Sequence, residues 1–355
     1  MGAVGSPRTL AEVYRRFAED DGGASPLNRR VAVAVSQSSA ALRAVEGAPA
    51  RKRRPPMILA ALHDLALAGR APALADAYAA GDGDAAARAA VDTLTAMADA
   101  VVSIVTGRQL RAEETGRATV LYPAIAQAAQ RVGANAIGLI DIGCSAGLNL
   151  TVDRVGLTYG NGQVLGDVAS PVQQSASIVG DRPLPELALP EVVARIGIDR
   201  DPMDVTDPDD ARWLRACLAP DRPEQLARLD AEVALAASGP PVLLQGILPA
   251  MLPAAIARVP THAVPVITST WALSRLPLEG RRLFLDALDE AAGDRPVAWV
   301  SAEGVGVAPT IPTLGDRRAS GHSIIGLATV DRAGRHSEAL GRCWSRGRLL
   351  SWLAG

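Results

Sequence analysis

The feature that most limits what this chain can fold into is a change of periodicity at Gly133. From Thr9 to Val132, apolar residues recur at three- and four-residue intervals in a background of Ala, Leu and Arg, with almost no β-branched alternation. That half is expected to be helical. Helices are expected over about 9–20, 29–45, 56–68, 74–80, 84–106 and 119–132, parted by turn signals such as Asp20-Asp21-Gly22-Gly23 and Gly81-Asp82-Gly83. After Gly133, short apolar runs bounded by Gly, Pro or Asp alternate with helical patterns, which is how a βαβ parallel sheet reads. Strands are expected at 137–142, 193–198, 241–245, 263–270 and 296–302. Two more, at 323–330 and 340–345, flank the turn Asp331-Arg332-Ala333-Gly334 and are expected to end the sheet as an antiparallel hairpin. The expected fold class is α/β: a Rossmann-like, mostly parallel sheet over 134–355, with an insertion at about 155–192, preceded by an all-helical domain over 1–133.

Composition narrows the partners. The chain has 355 residues and a 48% hydrophobic content, enough to fill a sizeable core. Charged residues make up 21% with a formal net charge of −2, so there is no basic field to hold nucleic acid or an anionic membrane. A small-molecule partner is expected instead. Cys144, Cys217 and Cys343 are too scattered for a disulfide framework, and the four histidines form no H-x-x-x-H pair, so no metal is expected. The longest apolar stretch, Val242 to Val259, is broken by Pro249 and Pro253 and carries Arg258. The first twenty residues carry charges throughout. A cytoplasmic protein is expected, and Arg in great excess over the single Lys52, with abundant Ala, suggests a GC-rich bacterial genome.

The chemistry concentrates in Asp141-Ile142-Gly143-Cys144-Ser145-Ala146-Gly147-Leu148-Asn149, where a buried strand turns into a helix through small residues at alternate positions. That spacing lets the backbone approach a ligand closely, with amides facing it. Asp141 would hold a polar or cationic group, Gly143, Ser145 and Gly147 would wrap the ligand, and Asn149 completes the set. The same residues satisfy the G-x-S-x-G nucleophile elbow of an α/β-hydrolase, with Ser145 as nucleophile and His322 following it in chain order. Context favours the nucleotide reading. An elbow needs strands and an oxyanion loop before it, whereas the preceding 130 or so residues read as helical, and Asp141 has no job in an elbow.

The second strand of the series ends at Asp199, where a carboxylate accepts both hydroxyl protons of a ribose. It lies about fifty residues past the glycine turn rather than the roughly twenty expected, which places the insertion between them, read as a loop or small hairpin at the pocket mouth. The third strand ends at Gln245-Gly246. Class I methyltransferases, whose glycine turn this one resembles, often place an acid there near the adenine amino group; the resemblance implies that the Gln245 side chain accepts that bond. The fourth runs into Ser269-Thr270-Trp271, where Trp271 shapes a substrate pocket or serves as a structural core residue.

The glycine turn resembles the D-x-G-x-G-x-G turn of class I methyltransferases and is especially similar to the D-L-G-C-S-S-G-P-N turn of plant carboxyl methyltransferases, with Ser145 in place of the middle glycine. The resemblance implies S-adenosyl-L-methionine as cofactor, bound by Asp141, Gly143, Ser145, Gly147, Asn149, Asp199, Gln245 and Gly246. From about Arg29 to its end the chain also resembles the bacterial domain-of-unknown-function 2332 family, common in actinobacteria. The carrying segments are Glu114-Thr115-Gly116-Arg117 with Leu121-Tyr122-Pro123; Gly143 to Leu150 with Asp153-Arg154 and Tyr159-Gly160; Arg195-Ile196-Gly197-Ile198-Asp199 with Pro202; and Arg212-Trp213-Leu214-Arg215-Ala216 with Pro220-Asp221. This resemblance implies a fold and a shared pocket, and no reaction. Arg111-Ala112-Glu113 stands where the family usually has Gln-Thr-Asn, and Val155 where an aromatic is usual, so either a substrate different from that of relatives or a lapsed activity is expected.

Methyl transfer needs an acceptor aligned with the sulfonium methyl, and much of the catalysis is positioning. The catalytic candidates are Glu114 and Arg117, one turn apart and equally readable as an ion pair, together with Asp153; His63 is a further candidate base. The expected arrangement is a helical N-terminal domain that covers the mouth of the sheet domain and selects the substrate. Beside methyl transfer to a small molecule stand two other expectations, a non-catalytic nucleotide-binding or scaffold protein and a hydrolase using Ser145.

Overall fold

The structure, a computed structural model, describes residues 9–20, 25–111, 115–293 and 295–354. In chain order the first helices are α1 (Leu10–Glu19), α2 (Pro26–Gln37), α3 (Ser39–Glu46), α4 (Pro55–Leu67), α5 (Pro72–Ala80), α6 (Gly83–Ala96), α7 (Ala98–Gly107) and α8 (Ala118–Arg131). Then come β1 (Ala136–Ile142), β2 (Gly156–Tyr159), β3 (Val164–Gly166), β4 (Gln173–Ile178), β5 (Glu191–Asp199), α9 (Pro208–Ala216), α10 (Pro223–Ala237) and β6 (Val242–Gln245). The chain ends with α11 (Leu252–Ile256), β7 (Val264–Thr270), α12 (Leu278–Ala291), β8 (Val297–Gly304), β9 (Ser323–Asp331), β10 (Gly334–Trp344) and β11 (Leu349–Trp352). These elements form two compact units, Met1–Glu113 with Asp207–Asp230, and Glu114–Thr206 with Ala231–Gly355.

In the helical unit, local chemistry sets where helices start. Thr9 and Glu12 form a reciprocal capping box at α1, Ser25 caps α2 with Pro26 at its first position, and Asp82 caps α6. Helix α4 is apolar nearly all round and buried along most of its length, as a central helix must be. Helix α9 also belongs here. Its Arg212 Nε donates to Asp64 Oδ1 of α4 (2.9 Å), and the buried Trp213 donates from Nε1 to the Gln109 carbonyl (2.8 Å). The helical unit is therefore not continuous in sequence, and residues 134–355 are interrupted by a segment that packs with the N-terminal helices.

The sheet of the second unit has the order β3-β2-β4-β11-β10-β9-β8-β7-β1-β5-β6. Strands β8, β7, β1, β5 and β6 run parallel, and β9 and β10 form the expected antiparallel hairpin. Every residue of β1 is buried, which explains its continuous apolar run. Its side chains alternate between two cores. On one face Leu139 joins Val266, Val300 and Ile325 beneath Leu121 and Ile125 of α8; on the other Ile140 joins Ile267 and Trp299 beneath Phe284 and Leu288 of α12. Helix α8 thus belongs with the sheet, and the unit boundary falls at Glu113, not at Gly133. Its burial on nearly every side reflects this role.

The insertion contains the small hairpin expected of it, since β2 and β3 pair antiparallel, but its expected place at the pocket mouth needs correction. Residues 155–192 supply β2, β3 and β4, which extend the sheet beyond β11, and β4 pairs in parallel with β11 at Leu349↔Ser177 and Leu350↔Ile178. In strand order this is the far side of the sheet from β5 and β6. No helix among the described residues is long and apolar enough to cross a membrane.

Candidate functional site

Among the parallel strands, β1 is followed by β5 and β6 on one side and then by β7 on the other, so β1 and β7 flank a topological switch point, where parallel sheets open a crevice at the carboxyl ends of their strands. The glycine turn leaves β1 there. Three of its five residues have positive φ, namely Gly143 (68°), Ser145 (51°) and Gly147 (72°). The turn folds onto the end of β5: the Gly143 and Cys144 amides donate to the Ile198 carbonyl (2.8 and 3.3 Å), and the Ser145 amide donates to Asp199 Oδ2 (3.0 Å). The turn leads into a 3₁₀ segment, Leu148–Arg154, in place of the expected α-helix, so no long helix dipole backs these amides.

Ser145 carries two local costs. A residue with a Cβ in the left-handed region is strained by about 1–2 kcal/mol, and its buried Oγ has no hydrogen-bond partner. Ser145→Gly is therefore expected to raise stability by about 1 kcal/mol, measured as an increased midpoint in thermal or urea unfolding.

Asp141 is buried beneath the turn with both oxygens engaged. Thr268 Oγ1 donates to Oδ1 (2.7 Å) and Asn149 Nδ2 donates to Oδ2 (3.0 Å). Burial pushes its carboxyl up to about 6, against the opposing pull of Thr268, Asn149 and the Arg117 charge. The network continues laterally. Asn149 Nδ2 lies 3.4 Å from Thr270 Oγ1, which accepts from Arg117 (2.8 Å). The Arg117 guanidinium lies 5.2 Å from the centre of the Trp271 ring, and Trp271 Nε1 donates to Ser323 Oγ (2.8 Å). Asp141, Asn149 and Arg117 thus meet in one buried polar strip, where Trp271 is a structural member.

Beside this strip lies a cleft of about 140 Å³. Gly143, Asp199 and Gly246 line it, as do Arg200, Leu273 and Arg275. Asp199 is half-buried; besides the Ser145 amide it accepts the Asp201 amide at Oδ1 (3.0 Å), and its carbonyl accepts the Gly246 amide (2.9 Å). The wall at Leu273 is fixed by Glu303, whose Oε1 accepts the Ala272 and Leu273 amides (3.0 Å each), and by Arg281, whose Nε donates to the Leu273 and Leu276 carbonyls (2.9 and 3.1 Å).

The other candidates lie elsewhere. Ser145 and Gly147 form the turn without lining the cleft. Gln245 is exposed and donates to the Arg200 carbonyl (3.2 Å). Asp153 is held in a bidentate pair by Arg195 (2.6 and 2.7 Å). Glu114 lies outside the described residues. His63 belongs to the helical unit, where its Nδ1 faces the Leu218 carbonyl at 3.0 Å and burial lowers its pKa to about 4. His322 precedes β9, three strands from β1 and hence about 14 Å away at ordinary strand spacing. Its ring pairs with Asp316 (2.9 Å), so no Ser-His pair forms with Ser145. Sequence reading missed Arg200, Arg275 and Glu303. Only Glu303 left a signal, as an acid ending the apolar run Val297–Ala302.

Fold and cleft together define a mixed α/β protein with a cleft at the switch point of a mostly parallel sheet and an N-terminal helical region. Residues 11–352 match the family described as "Uncharacterized protein conserved in bacteria (DUF2332)", and the chain belongs to that family. Neither the curated proteins nor the solved structures gave a match.

Proposed function

We propose that this protein is an S-adenosylmethionine-dependent methyltransferase acting on a small molecule. One observation carries the reading. Gly143, Asp199 and Gly246 end three neighbouring parallel strands, and all three line a single cleft. Gly143 and Asp199 hold the positions that the Rossmann-like reading gives to close backbone approach and to the ribose, while Gly246 follows the adenine candidate Gln245, which itself lies outside the cleft. The residues fit such a group in kind. Asp199 places a carboxylate, the acceptor type a ribose diol needs, at the strand end in the cleft lining, and Gly143 presents no side chain. The cleft is smaller than the roughly 300–1,000 Å³ of pockets that enclose drug-sized ligands, which favours a ligand held in an open groove.

When bound, the cofactor supplies an activated methyl group. The chain's own contribution is to hold donor and acceptor in line, from a turn and a wall that are both fixed by hydrogen bonds. The second reading, a non-catalytic nucleotide-binding protein, draws on the engagement of both carboxylates nearest the turn in sequence. Asp141 is tied to Thr268 and Asn149, and Asp153 to Arg195. A hydrolase is disfavoured by the distance and pairing of His322.

The test is calorimetric titration of the whole protein with S-adenosylmethionine and S-adenosylhomocysteine, with NAD as control. Binding of both sulfur nucleosides and not of NAD is expected. Absence of binding, or preference for NAD, removes the cofactor assignment, and turnover with candidate acceptors separates the enzyme from the non-catalytic binder.

A further inference from the structure

We propose that the ligand of this cleft carries an anionic group of the carboxylate or phosphate class, gripped by the guanidiniums of Arg200 and Arg275. The inference rests on the nucleoside-cofactor reading of the same cleft. Both arginines line it, and neither side chain makes a hydrogen bond or ion pair among the described residues. That sets them apart from Arg195, Arg212, Arg335 and Arg342, each of which meets a carboxylate.

The two unpaired cations are presented from fixed backbone. Arg275 sits in the short turn Leu273–Arg275, which Glu303 and Arg281 pin and whose Leu273 is wholly buried. Arg200 comes directly after Asp199, and its carbonyl is held by Gln245. Asp199 is the one carboxylate in the lining, and it already accepts the Ser145 and Asp201 amides, so the lining has an excess of positive charge. Both arginines are solvent-exposed at the rim, and Ile142, Ile198 and Leu248 supply apolar surface beside them. A planar guanidinium matches a carboxylate or phosphate in a two-point grip, so a ligand bringing such a group gains where an uncharged nucleoside does not.

The experiment compares two ligand pairs by calorimetry. S-Adenosylhomocysteine differs from methylthioadenosine by its amino-acid tail, and ADP differs from adenosine by its phosphates. Each is titrated into wild type, Arg200→Gln, Arg275→Gln and the double variant. In wild type the member of at least one pair that carries the carboxylate or phosphate is expected to bind about tenfold or more tightly than the member that lacks it. The double variant brings that pair to near equality and leaves the member without that group unchanged. Discrimination by tail names a carboxylate, and discrimination by phosphate names a phosphate. Equal binding within both pairs, or discrimination that survives in the double variant, overturns the proposal while leaving the cofactor reading intact. Binding of ADP above adenosine with no binding of S-adenosylhomocysteine upholds the anion grip and overturns the methyl-donor reading. If none of the four binds, both fall.

Discussion

Asp199→Ala is expected to reduce the affinity for S-adenosylhomocysteine by about 100-fold or more, because hydrogen bonds to a charged group contribute roughly 1.5–3 kcal/mol each and a ribose offers two. The same substitution has a second consequence. Asp199 Oδ2 holds the Ser145 amide and Oδ1 the Asp201 amide, so the variant also leaves two backbone donors without their acceptor, one of them partly buried. A stability loss of about 2 kcal/mol in urea unfolding is expected. Asp199→Asn separates the two effects. Its single carbonyl oxygen retains one amide, so stability recovers in part, while the second acceptor for the ribose diol is gone and affinity stays low. If Asp199→Ala binds as tightly as wild type, Asp199 belongs to the turn alone and the cofactor assignment loses its main residue.

The double duty of Asp199 shows where sequence reading reached and where it stopped. Strands β1, β5, β7 and β8 were legible because buried parallel strands need continuous apolar runs, and the β9–β10 hairpin because the turn Asp331-Arg332-Ala333-Gly334 parts two strand-like runs. Helix α8 was legible as a helix, but periodicity reports that a helix has a buried face without reporting what covers it. Its assignment to the sheet unit comes from contacts made with strands far along the chain. The same holds for Trp213 and Arg212, whose partners Gln109 and Asp64 lie more than a hundred residues earlier. Strand β4 carries polar, mostly exposed residues, and β3 (Val-Leu-Gly) and β11 (Leu-Leu-Ser-Trp) span only three and four residues, too few for a periodicity to read.

At the site, small residues betrayed the turn because positive φ demands them. Asp141 was legible as a strand-end acid, but its occupation by Thr268 depends on the β1–β7 register. The wall at Leu273–Leu276 was invisible, since nothing local distinguishes it from a loop until Glu303 arrives from the neighbouring strand.

Glu303 should make stability depend on pH with a sign opposite to that of a paired carboxylate. Its side chain is 1% exposed, Oε1 accepts two backbone amides, and Oε2 has no hydrogen-bond partner. Burial raises its pKa to about 7 from an ordinary 4.5, although the Leu273 and Ala272 amides pull the other way. Between those two values the folded protein holds a proton that the unfolded chain has released, so stability falls as pH rises through that window and levels off above about 7. The loss is on the order of 3 kcal/mol. Asp141, raised to about 6, acts with the same sign over a lower window. Glu303→Gln keeps an acceptor oxygen for the two amides and has no charge to desolvate. It is expected to exceed wild type by about 3 kcal/mol at pH 8 and to approach it near pH 5, read from urea midpoints at both pH values. The difference between the two proteins isolates this one group from every other titration. Glu303→Ala strands both amides and should be less stable than the Gln variant throughout. A Gln variant whose pH profile runs parallel to that of wild type would mean that Glu303 is ionised in the folded state. The apolar surroundings of the strand end would then tolerate a charge, and the wall that carries Arg275 would be held by a carboxylate in place of a neutral acid.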